Sequence, residues 1–409
     1  MTPRTRAHRT LAGLTGLAVA GALVLSSCTD PGDESEVTLI ETTPTGTPLP
    51  SGPSVSAAPE ETEEPDEPAT EEPSTDGPDL DRKRNRAPQV AETIARDLAV
   101  PWGLAFLPDG DAVVTERDSG RVLLLKGRNH RVVEVGQAPA TEPAGEGGLL
   151  GVAVSPSYVD DRLVFLYVTT AEDNRILRAT LRNDSLGEPE VVLAGIPRGT
   201  IHDGGRMVFG PDGHLYVSTG EAGDPPLAQD PDSLGGKILR ITPDGEPAPG
   251  NPDPDSPVWT LGHRNVQGLA FVGEQLWASE FGDSAFDELN KIKAGDNYGW
   301  PQVEGTGGAE RGFTDPRVTW STDDASPAGL AYAAGRLWMG ALRGERLWRV
   351  DVTGGGKRAG DPVAFLEGDY GRIRTVVTAP DGSLWITTSN QDGRGTPAGP
   401  DDRILRVRP

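Results

Sequence analysis

A chain of 409 residues with 62 acidic and 38 basic side chains carries a net charge of −24 and a single cysteine. That charge argues against nucleic acid as a partner, and one cysteine excludes an internal disulfide. Five histidines and one thiol form no zinc-ligand pattern, and the GxSxG turn of serine hydrolases and the CxxCH haem-attachment motif are both absent.

The chain opens with "MTPRTRAHR", which holds three arginines and no acid, and then runs through the uncharged "LAGLTGLAVAGALVL" to "LSSC". A basic head, an apolar stretch short for a bilayer span and small residues at its end read as a secretory signal. The ending resembles a bacterial lipobox. It implies cleavage before Cys28 and lipid on that thiol, so residues 1–28 are expected to be removed or lipidated. The mature protein would be extracytoplasmic and meet the membrane through its lipid anchor only. Residues 29–88 are rich in Pro, Thr, Ser and Glu, with 16 acids and no base between Asp30 and Asp81. Such a segment buries too little apolar surface to offset the entropy of ordering, and it is expected to be a disordered acidic spacer. Much of the negative charge therefore belongs to the spacer rather than to the folded part.

Residues 89–409 read as all-β. Short runs of alternating apolar residues are separated by Gly, Pro, Asp and Asn, without helical periodicity. Six units recur, among them "PWGLAFLPDGDAVVTER", "GRMVFGPDGHLYVSTGEAG", "VQGLAFVGEQLWASEFG" and "RTVVTAPDGSLWITTSNQ". Each gives a strand, a turn often spelled Pro-Asp-Gly, and a second strand; a third such as "GKILRITP" or "DRILRVRP" usually follows. The spacing predicts a six-bladed β-propeller, since a pair of β-sandwiches would not explain the recurrence.

The units align on Gly103, Gly151, Arg206, Gly268, Gly329 and Thr375. Roughly three to five places ahead of that column stand Glu146, His202, Arg264, Asn265, Asp324 and Arg372, with Arg374 beside the last. Equivalent positions in a closed ring converge on its axis, so these side chains are expected to share one funnel. Convergent guanidinium groups bind a ligand bearing several carboxylates, and a single imidazole beside them is the usual general base near neutral pH. His130 and His214 read as surface residues, His263 as a neighbour of the Arg-Asn pair, and the tryptophans of the second strands as blade core. The stretch "SEFGDSAFDELNKIKAGDNYGWP" (279–301) reads as an oxygen-rich loop suited to a hard cation such as Ca²⁺.

Together "GEGGLLGVAVSP", "HDGGRMVFGPDGHLYVSTGEAGD", "GGKILRITPDG", "GHRNVQGLAF", "DELNKIKAGDNYGWP" and "RIRTVVTAPDGSLWITT" occur in the order seen in the glucose/sorbosone dehydrogenase family, which residues 90–409 resemble. The resemblance implies a propeller that holds pyrroloquinoline quinone (PQQ) and Ca²⁺ in its funnel and oxidises an aldose sugar at C1. It matches His202 to the catalytic base and Arg264 and Asn265 to a quinone-contacting pair. Arg372 and Arg374 match two arginines that hold the quinone's carboxylates, and Glu146 matches a further quinone contact. Gly282 and Asp283 match backbone ligands of the cofactor-bound Ca²⁺, and Glu288 and Tyr298 match ligands of a structural Ca²⁺. Electrons would leave to an external acceptor.

Three positions depart from the family pattern. Glu146 stands where Gln is common and is expected to repel an anionic cofactor unless paired. Ile201 replaces the acid that often precedes the histidine, so His202 lacks that orienting neighbour. Either Leu342 or Arg343 falls where a basic residue is expected. A non-catalytic propeller that binds a carbohydrate or cell-wall partner is the alternative on this scaffold. A metal-dependent lactone hydrolase would require an axis lined with carboxylates.

Overall fold

The computed structural model describes residues 87–409. The expected signal segment, Cys28 and all but the last two residues of the expected spacer lie outside the described residues. The strands form six antiparallel sheets, one per unit of the repeat. Blade 1 runs Pro101–Phe106, Ala112–Glu116, Arg121–Lys126 and Arg131–Gln137 from the axis outward. Blades 2 to 5 begin at the axis with Leu149–Val154, Met207–Phe209, Asn265–Val272 and Pro327–Ala333.

Blade 6 is built from both ends of the described chain. Ile373–Thr378, Leu384–Thr388 and Ile404–Arg408 supply its inner strands, and Gln89–Ala95 pairs antiparallel with Ile404–Arg408 as the outermost. This pairing closes the ring, and a repeat pattern read unit by unit does not reveal it. No helix among the described residues is long and apolar enough to cross a membrane.

The aligned column has a physical origin. In several inner strands the ladder shifts register beside it, between Pro101 and Gly103, Val266 and Gly268, and Ile373 and Thr375. A Cβ on Gly103 would lie 2.7 Å from Leu150 O, and one on Gly329 would lie 2.6 Å from Val376 N. Glycine is required there because the next blade's backbone occupies the space of a side chain.

A hydroxyl on the second strand then ties blade to blade. Thr115 Oγ1 accepts from Gly103 N at 2.8 Å and donates to Leu150 O at 2.5 Å. Ser218 Oγ repeats this between Arg206 N (3.0 Å) and Val266 O (2.8 Å). Thr387 Oγ1 carries it from Thr375 N (3.1 Å) across the closure to Pro101 O (3.3 Å). Buried polar backbone at the narrow end of each wedge is thereby satisfied.

Apolar residues form six clusters, each filling the gap between two neighbouring blades. Trp277, Trp338 and Trp385 are fully buried in them, as the repeat position predicts. The stretch 279–301 departs from its loop reading, because Gln275–Phe281 and Phe286–Lys291 are adjacent strands of blade 4. Three of its acids, Glu280, Asp287 and Glu288, are buried on those strands, with Glu280 opposite Glu288, and the acidic composition masked the strands.

Candidate active site

One mouth of the propeller opens into a cavity of about 500 Å³. Glu146, His202, Arg264, Gly282, Asp283, Arg372 and Arg374 all border it, though they are as far apart in the chain as residues 146 and 374. Asn265 does not line the cavity. It is buried behind the wall, where its Oδ1 accepts from Gly204 N at 3.1 Å and its Nδ2 donates to Glu146 Oε2 at 3.5 Å. Asp324 is also absent from the wall, because its half-exposed carboxylate turns outward to Ser321 Oγ at 2.9 Å; Ser326 takes the place expected for it.

His202 adopts φ +60°, a conformation that L-residues with a side chain rarely hold without support. Its N–H donates to Glu146 Oε2 at 3.0 Å, and its carbonyl accepts from Ala222 N at 3.0 Å. Gly220 has no Cβ because that same carbonyl fills the space. The imidazole does have an orienting acid. Its Nδ1 is hydrogen-bonded to Glu221 Oε1, from a carboxylate that is 1% exposed. Glu221 lies nineteen residues on, in "STGEAGD", and not in the neighbouring position that Ile201 occupies. With Nδ1 donating to Glu221, Nε2 keeps its lone pair, which is the arrangement needed to take a proton from a hydroxyl.

The guanidinium groups share a partner that the sequence reading did not single out. Asp392 Oδ2 accepts from Arg372 Nη2 at 2.9 Å, from Arg374 Nη2 at 3.2 Å and from Ser389 Oγ at 3.1 Å. Burial pushes Arg374 down to about 10, with Asp392 opposing the shift. Burial likewise raises Asp392, but the two arginines outweigh it and hold the carboxyl below its usual range. One carboxylate thus serves two buried cations, which leaves capacity for a further anion. Arg264 lies against the Trp300 ring at 5.3 Å and donates to Asp283 Oδ1 at 3.0 Å, while its buried Nε has no partner.

Glu146 is paired rather than repelling. Arg394 Nη1 lies 3.0 Å from its Oε1, and His202 N and Asn265 Nδ2 engage its other oxygen. Leu342 and Arg343 both reach the cavity; Arg343 is largely exposed and pairs with Asp323 at 3.2 Å.

The loop carrying Gly282 and Asp283 is clamped by Glu304, whose Oε1 accepts backbone N–H groups of Asp283, Ser284, Ala285 and Phe286 at 2.7–3.1 Å. Glu288 lies behind this loop in a buried polar cluster. Asn290 Nδ2 donates to Glu288 Oε2 at 2.9 Å and to Glu280 Oε2 at 3.1 Å, and Asn290 Oδ1 has no donor. Burial, reinforced by the Glu280 carboxylate, raises Glu288 to about 8. The Tyr298 hydroxyl points elsewhere, donating to Lys291 O at 2.8 Å, and its ring stacks on His263 at 4.6 Å. His263 is buried between Thr260 and Glu280. No group of three or more His, Cys, Asp or Glu side chains able to hold a metal occurs among the described residues.

A six-bladed propeller whose axial cup combines clustered arginines with one carboxylate-held imidazole has the chemistry to suit a polyanionic ligand and a proton acceptor beside it. The sequence profile of the glucose/sorbosone dehydrogenase family matches residues 98–405, and the chain belongs to that family. It is similar to the PQQ-bound aldose sugar dehydrogenase of Streptomyces coelicolor, at 55% identity and a TM-score of 0.77, over 79% of this chain and 98% of that one. Aldose sugar dehydrogenase YliI of Escherichia coli is 29% identical over 74% of this chain and 90% of its own length. Quinoprotein glucose dehydrogenase B of Acinetobacter calcoaceticus is 32% identical over 52% of each chain.

Proposed function

We propose that this protein oxidises aldose sugars at C1 with PQQ as its bound cofactor, His202 serving as general base. The observation that carries the reading is the His202–Glu221 pair, set in the wall of a cavity lined by clustered arginines. The residues present fit a tricarboxylate quinone. Arg372 and Arg374 share one carboxylate, the Nε of Arg264 is unpartnered, and Glu146 is neutralised by Arg394.

The quinone, when bound, supplies the acceptor for the hydride leaving C1. The chain's own groups do the rest. The arginines orient the cofactor, and His202 Nε2 takes the proton of the sugar hydroxyl as the C1–H bond breaks. Glu221 holds Nδ1 protonated and stabilises the imidazolium that results.

Backbone oxygens of Gly282 and Asp283, in the Glu304-clamped loop, would hold a Ca²⁺ beside the cofactor, where the ion is a Lewis acid. The Glu288 and Glu280 carboxylates with the donorless Asn290 Oδ1 suit a second hard cation, to which Tyr298 would contribute other than through its occupied hydroxyl. Lipidation at Cys28 would tether the enzyme outside the cytoplasm, and electrons would pass to an external acceptor.

The test is reconstitution of the purified protein with PQQ and Ca²⁺, followed by dye reduction across a panel of aldoses. Turnover of several aldoses, lost in His202→Ala, is the expected result. Full activity in that variant would remove the mechanism. Failure to take up quinone would favour a non-catalytic carbohydrate-binding propeller.

A further inference from the structure

The axial channel has a second mouth, on the far side of the arginine cup. The ends of the six innermost strands, residues 104–106, 152–154, 207–209, 269–271, 330–332 and 376–378, enclose a cavity of about 390 Å³. Apart from Thr378 and the Tyr332 hydroxyl, those strand ends offer only aliphatic and aromatic side chains. The remaining wall residue is Arg206, the one cation at this mouth.

Arg206 is 8% exposed, and its partners are all uncharged. Its Nε donates to Gln267 O at 2.9 Å, its Nη2 donates to Thr375 Oγ1 at 3.2 Å, and its guanidinium lies 4.3 Å from the Trp102 ring centre. The five other buried arginines among the described residues, Arg117, Arg240, Arg349, Arg372 and Arg374, each have a carboxylate within 3.3 Å. No ion pair joins Arg206 to an acid among the described residues. Burial and the nearby Arg374 push Arg206 down to about 9. Gln267 stands between the two cavities, because its Oε1 accepts from Arg374 Nη1 at 3.1 Å while its carbonyl takes Arg206. Arg206 therefore belongs to the apolar mouth and not to the arginine cup.

A buried cation without a counter-charge is an unfavourable element of a fold unless a ligand supplies one. We propose that this mouth binds an aliphatic monocarboxylate, with the carboxylate on Arg206 and the chain along the apolar strand ends. A neutral lipid would leave the guanidinium uncompensated, and a sugar or nucleotide phosphate would strand its hydroxyls against hydrocarbon. A single acid head on an apolar tail meets both demands, since a guanidinium fork pairs with a carboxylate and hydrocarbon burial adds in proportion to area.

Calorimetric titration of the full chain with decanoate tests this, below micellar concentrations and with decanol as the uncharged match. One equivalent of decanoate is expected, bound at least tenfold more tightly than decanol, with that preference lost in Arg206→Gln. Tyr332→Asp, at an exposed rim position, is expected to weaken decanoate about tenfold by like-charge repulsion, and it decides the matter if Arg206→Gln fails to fold. Equal affinity for decanoate and decanol, or no saturable binding, would overturn the proposal. So would decanoate binding that survives both substitutions, since the carboxylate would then be in the arginine cup.

Discussion

Replacing Glu221 tests whether the imidazole is held for proton transfer. The carboxylate is buried, and its Oε1 accepts from both His202 Nδ1 and Gly223 N, the latter at 3.2 Å. Glu221→Ala removes the acceptor of one buried ring donor, at up to about 1–3 kcal/mol, and frees the imidazole to place its proton on Nε2, where it can no longer accept one; the N–H of exposed Gly223 can turn to water. The stability loss is expected to be about 1–3 kcal/mol. Loss of general-base function costs about 10²–10⁴ in rate, or roughly 3–5 kcal/mol of barrier. Glu221→Gln keeps an acceptor oxygen but not the charge that stabilises the imidazolium, so it should fall between wild type and Ala. The assay is dye-linked aldose oxidation by reconstituted protein, with quinone affinity measured separately by fluorescence quenching. The expected signature is a fall in kcat with quinone binding retained. A folded Glu221→Ala protein with kcat/KM within twofold of wild type would refute the reasoning, because the pair would then be structural only.

Asp203, adjacent to the base, gives a pH prediction. Burial raises its carboxyl from the ordinary 3.8 to about 6, against hydrogen bonds from Asn174 and Gly199 N. The folded state therefore holds a proton that the unfolded state releases, so this group's contribution to stability falls as pH rises from about 4 to 6. Above that window the penalty is complete, at about 3 kcal/mol. The stability of Asp203→Asn minus wild type, from urea melts, should rise across that window; a flat difference would count against it. Asp392→Ala removes the carboxylate that two buried guanidinium groups share, and a loss of about 3–5 kcal/mol is expected in the same measurement. A change under 1 kcal/mol would mean that water already compensates Arg372 and Arg374.

The amino-acid sequence by itself determined the propeller, its register and most of the cup. Alternating strands and Pro-Asp-Gly turns are local signals, and each blade is made almost entirely of contiguous chain. The column through Gly103 and Gly329 was legible because crowding by the next blade allows little else there. His202 and Arg264 stood four places ahead of that column and Arg372 three, with Arg374 beside it, so the repeat aimed them at one axis. Partnerships across the axis depend on which loops meet, and only the tertiary structure decided those. Glu221 rather than a neighbour of His202 orients the imidazole, Arg394 neutralises Glu146, and Asp392 holds two arginines together. Closure through Gln89–Ala95 and the solitary charge of Arg206 have the same character. Each joins groups distant in the chain, whose interaction depends on ångström-scale distance and on exclusion of water, and neither quantity has a local signature in the order of residues.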